Sequence, residues 1–486
     1  MQYPYQCIES CNRSATEDSR WILFGGRGSK LVAQSSTGVA SVWPPEDEDL
    51  AVSMSGWHED EPTEPPGKKI KLSHSNDQIS TFSSLTLSHD GQHLIAVTSE
   101  DKSIRVFQID SDCNLRQLSQ RCMARRPCAI SLTEDDSTIF CADKFGDVYA
   151  LPLIQPSEDE QNGTPADEPS EQDTPKHYVP AASVLTVHSG RNRKVLEEQM
   201  KQASKGQKKS KEQLKFKHEL LLGHVSMLTD ILHATVEGRS YIITSDRDEH
   251  IRISRGLPQA HIIEGFCFGH EEFISRLCLT TSGLLVSGGG DPYLCVWAWL
   301  DGRLLEKVFI RDAVLAFLKN HPNLASSLPE NDDSFRIAVC GIWSVPRRKK
   351  EQDEILVACE GIPAVFSVRL DGTTTIDAVP LIGNALDVAF VYASEDSCTT
   401  VVSVDNIHKP GSTTEIREDE GTSRLQYFAH LDGRWEDDTK FEDKLEWFSR
   451  QAPNDARNAH GDEKAVRDTL YIVENLRKRP GAEDQD

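Results

Sequence analysis

Ser287, His270 and Asp291 are the three residue types of an acyl-transfer triad, and one stretch carries them all, from Gly269-His270 through Ser287-Gly288-Gly289-Gly290-Asp291 to Trp297. As chemistry the set would be nucleophilic hydrolysis, with a serine attacking, a histidine taking its proton and a carboxylate orienting the imidazole. That requires an exposed serine beside an oxyanion hole. The same side chains also suit a structural lock. Asp291 lies six positions before the aromatic that ends the following apolar run. A buried carboxylate in such a strand-joining turn can gather hydrogen bonds from His, Ser and Trp. The expectation is therefore a lock made by His270, Ser287, Asp291 and Trp297. The glycine-rich runs Ser287–Gly290 and Gly25-Gly26-Arg27-Gly28-Ser29-Lys30 do not match GxxxxGK[ST] and open no helix, so they read as turns rather than phosphate cradles. HExxH, GxSxG, paired CxxC units and a methyl-donor glycine loop are absent from the sequence.

A second stretch, Ser245-Asp246-Arg247-Asp248-Glu249-His250-Ile251-Arg252-Ile253-Ser254, crowds charge into ten residues. Asp248 lies six positions before Ser254, so it takes the turn position of Asp291, with His224 as the histidine of its repeat. Ser254 stands where Trp297 stands, so this repeat lacks the aromatic. Arg247, Glu249, His250 and Arg252 exceed what a turn needs. On composition two readings stay open, a solvated strand edge and a docking surface whose arginines pair with a partner's carboxylates.

The elements that position these residues follow from a repeat. Gly223-His224 recurs as Gly269-His270, close to the roughly 40–45-residue period of a four-stranded WD-type blade. Each pair precedes an apolar run, an acidic turn and a second apolar run. Residues 3–43 read as one blade, with the first strand an option for closing the ring. Residues 81–109 and 127–153 repeat the layout, and Asp143-Lys144 falls where Asp101-Lys102 fell. Residues 335–370 and 381–430 supply two degenerate blades, which brings the count to about seven. Residues 311–332 read as a helical insertion. The fold class is all-β: a seven-bladed WD-type propeller over residues 1–435, followed by a short helical tail over 436–486. In the tail, Thr439 and Glu442 form a capping-box pattern, and Phe441, Leu445 and Phe448, then Val466, Leu470 and Val473, recur at helical spacing. Residues 44–78 and 155–217 break the repeat with polar, proline-rich or charged sequence and are expected to be disordered insertions. The first holds Lys68-Lys69-Ile70-Lys71, by itself a solvated loop or a short import signal. The second ends in a basic arm over 191–217.

The formal net charge is −24 and the pI about 5.1, which disfavours nucleic-acid binding by this chain alone. The twelve cysteines sit singly, mostly in apolar runs, as buried thiols of a reducing compartment do. The opening MQYPYQCIESCNRS has no basic start, and no apolar run approaches the roughly 18 residues of a membrane span, so an intracellular soluble protein is expected.

TSDRDEHIRIS, flanked by LLLGHVSMLTDI and by the run from FCFGHEEFISRL to SGGGDPYLCVWAW, resembles the WD-repeat, non-catalytic subunit of the eukaryotic tRNA (guanine-N7-)-methyltransferase. ADKFGDVYAL is similar to an earlier blade of that family. The match covers roughly residues 140–300, and the outer blades match only as propeller pattern. The resemblance implies a scaffold in a heterodimer. The partner is a Rossmann-like catalytic tRNA methyltransferase subunit that carries S-adenosylmethionine and methylates N7 of a guanine in the tRNA variable loop. The scaffold stabilises that subunit in its active shape, holds no cofactor of its own, and meets tRNA mainly through the complex, with no membrane. Carried onto this chain, Arg247 and Arg252, with Glu249, His250 and Lys144, become the candidates for partner binding. The implied location is the nucleus, which adds weight to Lys68-Lys69-Ile70-Lys71 as an import signal. The alternative is a generic WD-repeat adaptor such as a ubiquitin-ligase substrate receptor. A WDxR after a blade would favour it, and the sequence has none.

Overall fold

The computed structural model describes residues 3–45, 80–155 and 216–478, apart from 16–17, 326–327, 330, 347–352, 371–373, 395–396, 420–421, 432–433 and 452–462. The expected insertions at 44–78 and 155–217, with the Lys68–Lys71 cluster and the basic arm, lie almost wholly outside the described residues. Residues 155–217 form a compact unit apart from the rest of the chain.

The described chain forms seven four-stranded antiparallel sheets, each from four strands in sequence order. They are seven propeller blades. Blade three comprises Pro127–Leu132, Thr138–Asp143, Asp147–Pro152 and Glu219–Gly223, the last strand following the long insertion. Blade four comprises Leu228–Val236, Arg239–Asp246, Ile251–Arg255 and Ile263–Cys267. Blade five comprises Ile274–Leu279, Leu285–Gly289, Leu294–Ala298 and Arg303–Val308. The second and third strands are sandwiched between neighbouring blades, so sequences such as LVSGG are buried throughout, while a fourth strand such as Glu219–Gly223 is largely exposed. The core lies between blades. Ile243 and Ile253 of blade four meet Ile274, Leu285 and Trp297 of blade five in one cluster.

Two boundaries differ from the sequence reading. The repeat marked by Gly-His is offset from the blade by one strand. LLLG and the strand before Phe268 are the fourth strands of blades three and four, and the histidines stand in the links that follow them. The sequence period is conserved under this shift, which is why spacing alone cannot locate the boundary. The first strand, Cys7–Ala15, is not donated to another blade; it pairs with Asp18–Arg27 of its own sheet. Closure comes instead from bonds between blades seven and one. The Ile8 amide donates to Asp387 at 2.8 Å, Ser10 Oγ to the Phe390 carbonyl at 2.6 Å, and Ser403 Oγ to the Tyr5 carbonyl at 2.5 Å.

A helix at Ile310–Asn320 follows blade five and buries Val314, Leu315, Phe317 and Leu318. After the last strand, Arg434–Asp437, a short helix spans Thr439–Lys444. Its cap is Asp438, which accepts the Phe441 amide, rather than Thr439. Phe441, Leu445 and Phe448 are buried against blades one and seven. Glu463–Leu470 is helical, and the chain then runs without regular structure to Lys478. All twelve cysteines are free thiols; burial pushes those of Cys267, Cys278 and Cys295 up to about 12 and leaves them unreactive.

In every blade the turn between second and third strands shares one end of the sheet with the link to the next blade, as antiparallel order requires. That end is the top face, and it carries every candidate residue.

Candidate functional site

In blade five the four lock residues form one directed chain. Trp297 Nε1 donates to Ser287 Oγ at 2.8 Å. The Ser287 hydroxyl lies 2.7 Å from His270 Nε2, and His270 Nδ1 lies 2.7 Å from Asp291 Oδ2. One proton arrangement satisfies them all: the indole donates to the hydroxyl, the hydroxyl to Nε2, and Nδ1–H to the carboxylate. Asp291 also accepts the Glu271 and Glu272 amides. Ser287 and Trp297 are 0 % exposed and Asp291 1 %, so no substrate reaches the serine.

Blade four keeps the positions and rewires them. His224 Nε2 still meets a hydroxyl, Thr244 Oγ1 at 2.9 Å, but its Nδ1 donates to the Gly146 carbonyl at 3.0 Å. Burial, and then the Arg252 charge, push the His224 pKa down to about 4, so the ring is neutral. Asp248 is therefore not the lock carboxylate expected from its spacing. Its carboxylate lies 3.1 Å from Lys478 Nζ on the surface. The turn is held instead by Asp246, which is buried and accepts the Asp248 and His250 amides at 2.9 and 3.0 Å. The physical reason is a backbone carbonyl: once Gly146 satisfies the imidazole, no acid is needed beneath it.

The missing indole has a matching consequence. Ser254, where blade five has Trp297, accepts Arg252 Nε at 3.0 Å, and Arg252 also donates to the Gly223 carbonyl at 3.1 Å. The guanidinium, half-buried and with its pKa lowered by that burial, is fixed in the space beside a serine. The blade has thus turned one acid and one arginine from internal fastening to surface display. Arg247 Nε donates to the Leu476 carbonyl at 2.7 Å, and Glu249 lies 3.2 Å from Lys478. Glu249 adopts a left-handed backbone, φ 74°, at the centre of this turn. His250 Nδ1 sits 3.5 Å from Asp246, and its ring meets Phe268 edge-on.

Lys144 is on the same face, in the blade-three turn beside Phe145; desolvation and then the nearby Arg126 lower its pKa. Sequence reasoning missed the apolar side chains around these charges. Phe145 is 61 % exposed under the Arg125 guanidinium, Phe268 is 65 % exposed and stacks on Phe266, and Val225 is fully exposed. All three are large apolar residues in turns or links, a placement that polar loop chemistry does not call for and that could have drawn attention to them. Clustered arginine and exposed aromatics are the composition of protein interface centres. Among the described residues no group of His, Cys, Asp and Glu could hold a metal, and no helix is long and apolar enough to cross a membrane.

The family described as the tRNA methyltransferase TRM82 WD40 domain matches residues 23–428. The chain belongs to the TRM82 family. It is 56 % identical, over the whole of both chains, to a protein of Phaeosphaeria nodorum named tRNA (guanine-N(7)-)-methyltransferase non-catalytic subunit TRM82. A Sclerotinia sclerotiorum protein of the same name is 42 % identical over 84 % of this chain and 79 % of its own. The solved structure of U3-55K shares the fold at 14 % identity and a TM-score of 0.50, covering 87 % of this chain and 95 % of that one. As a TRM82 family member the chain is a non-catalytic subunit rather than an enzyme, in keeping with a Ser-His-Asp set buried beneath a tryptophan.

Proposed function

We propose that this chain is the scaffold of a heterodimeric tRNA (guanine-N7-)-methyltransferase, required for N7-methylguanine in the tRNA variable loop because it stabilises the catalytic subunit in its active conformation. The catalytic subunit docks on the top face of blades three to five. S-adenosylmethionine belongs to that subunit: the glycine-rich turns here join strands and offer no helix N-terminus to a methyl donor. tRNA meets this acidic chain mainly through the complex, and the complex works in the nucleus.

The observation that carries the reading is the rewired blade four. Arg252 is half-buried, fixed by Ser254 and the Gly223 carbonyl, and ringed by exposed apolar side chains. A pre-organised guanidinium in partly desolvated surroundings pairs with a carboxylate more strongly than a mobile one in water. Lys144 and Arg247 extend the positive field, while Phe145, Val225 and Phe268 supply the apolar contact.

Co-expression with the catalytic subunit tests the reading. Arg252→Glu should weaken the pair by about 2–4 kcal/mol and leave the propeller's melting temperature within about 2 °C. Phe268→Ala should cost about 1–2 kcal/mol of binding, again without unfolding. Deleting this chain from cells should abolish N7-methylguanine in the variable loop. Undiminished pairing of both variants would remove this face from the interface.

A further inference from the structure

The C-terminal segment crosses the top face blade by blade. At Tyr471 the hydroxyl donates to Asp405 and accepts from Asn384 Nδ2 at 2.9 Å, both in blade-seven connections. Glu360, in a blade-six turn, accepts the Val473 and Glu474 amides at 2.9 and 2.8 Å. Arg477 donates to the Gly290 and Ile337 carbonyls at 3.2 and 2.8 Å, pairs with Glu272 at 3.2 Å, and lies over the Phe273 ring of the blade-five link. Lys478 reaches blade four, between Asp248 at 3.1 Å and Glu249 at 3.2 Å.

These anchors are graded. Tyr471, Asp405 and Asn384 are buried, and the Arg477 side chain is 10 % exposed. At the tip, Lys478, Asp248 and Glu249 are 42, 44 and 35 % exposed. Partial burial lowers the Lys478 pKa, but the two carboxylates outweigh it and raise it overall. Exposed pairs exchange partners at little cost, whereas a buried polar root does not let go. The tip also lies where a docked subunit must reach. A standard interface covers roughly 800 Å² of each partner, and Asp248 and Glu249 belong to the turn that leads directly into the strand of Arg252.

We propose that the tip of this strap is a resident competitor on the docking surface: Lys478 occupies Asp248 and Glu249 in the free subunit, and a basic side chain of the catalytic subunit displaces it while the root at Tyr471–Arg477 stays in place. The inference rests on the docking face proposed above. It gives the free scaffold a self-covered acidic patch that opens only when the partner engages.

Lysine-reactive footprinting of the full chain, alone and with the catalytic subunit, separates the two ideas. The expected result is protection of Lys144 together with increased reactivity of Lys478. Protection of Lys144 with Lys478 unchanged or itself protected overturns the strap inference alone. No protection of Lys144 overturns the docking face and the strap inference with it. In a binding titration, Lys478→Ala should tighten the complex by about twofold to fivefold, an effect that shrinks at high salt. An unchanged or weakened complex would mean that the strap tip does not compete.

Discussion

Asp291 and Asp248 hold the same place in two repeats and do different work. Asp291 accepts His270 and two backbone amides in a site that is 1 % exposed. Asp291→Ala would leave those donors buried and unpaired, at a cost of about 2–4 kcal/mol. Asp248→Ala removes a half-exposed ion pair and should cost less than about 1 kcal/mol. Urea denaturation of the two variants checks this: equal losses would contradict the rewired geometry. No hydrolytic activity should be lost with Asp291, because Ser287 is already shut away from solvent. The residue scale is where the sequence was least reliable. The side-chain types of a lock were visible in both repeats, but the competing acceptor in blade four is the Gly146 carbonyl, and a backbone carbonyl has no signature in sequence.

Elements meet at the turn of blade three and the link into blade four. Gly146 has φ 93°, and a Cβ there would come within 2.4 Å of the His224 carbonyl and 2.8 Å of the Ser226 carbonyl. Gly283 has a similar φ, 87°, with nothing within 4 Å. Both alanine variants pay for the left-handed backbone, about 1 kcal/mol. Gly146→Ala must also push two backbone segments apart and should lose about 2–4 kcal/mol in all. Because the link carries Val225 and precedes blade four, Gly146→Ala should also weaken partner binding, whereas Gly283→Ala should not. Thermal melts and the same binding titration distinguish them. Strand content, blade count and the helix after blade five were legible because alternating apolar runs and helical spacing are local properties. The offset between repeat and blade was not, since it depends on which neighbour each fourth strand bonds.

Across the whole molecule, groups of opposite pH behaviour balance. Glu9 and Asp387 stand on first strands of blades one and seven, where the ring closes. Burial raises their pKa values to about 7 and about 6 from 4.5 and 3.8. A raised carboxylate pKa gives stability that is full below its ordinary value and is lost as pH rises through the folded value. His224 has the opposite sign: its pKa falls from 6.5 to about 4, so its contribution is full above 6.5 and is lost as pH falls towards 4. Between about pH 4.5 and 7 the effects oppose each other. Glu9→Gln removes one side of the balance, so melting temperature should rise more steeply with pH across that window, and the variant should exceed the parent by about 1–2 °C at pH 7. An unchanged pH profile would place Glu9 outside the desolvated closure.

The amino-acid order determined the blade repeat, the family, the absence of catalytic motifs and the charged stretch at 245–254, because each is written in residue types at short or regular spacing. Tertiary structure decided which acid fastens and which is displayed, that Arg252 is fixed beside Ser254, that Phe145, Val225 and Phe268 share one face with it, and that the chain's own C-terminal strap ends there. Those outcomes depend on contacts between residues far apart in the chain, such as Asp248 with Lys478, and on backbone groups whose availability is settled only when the blades close into a ring.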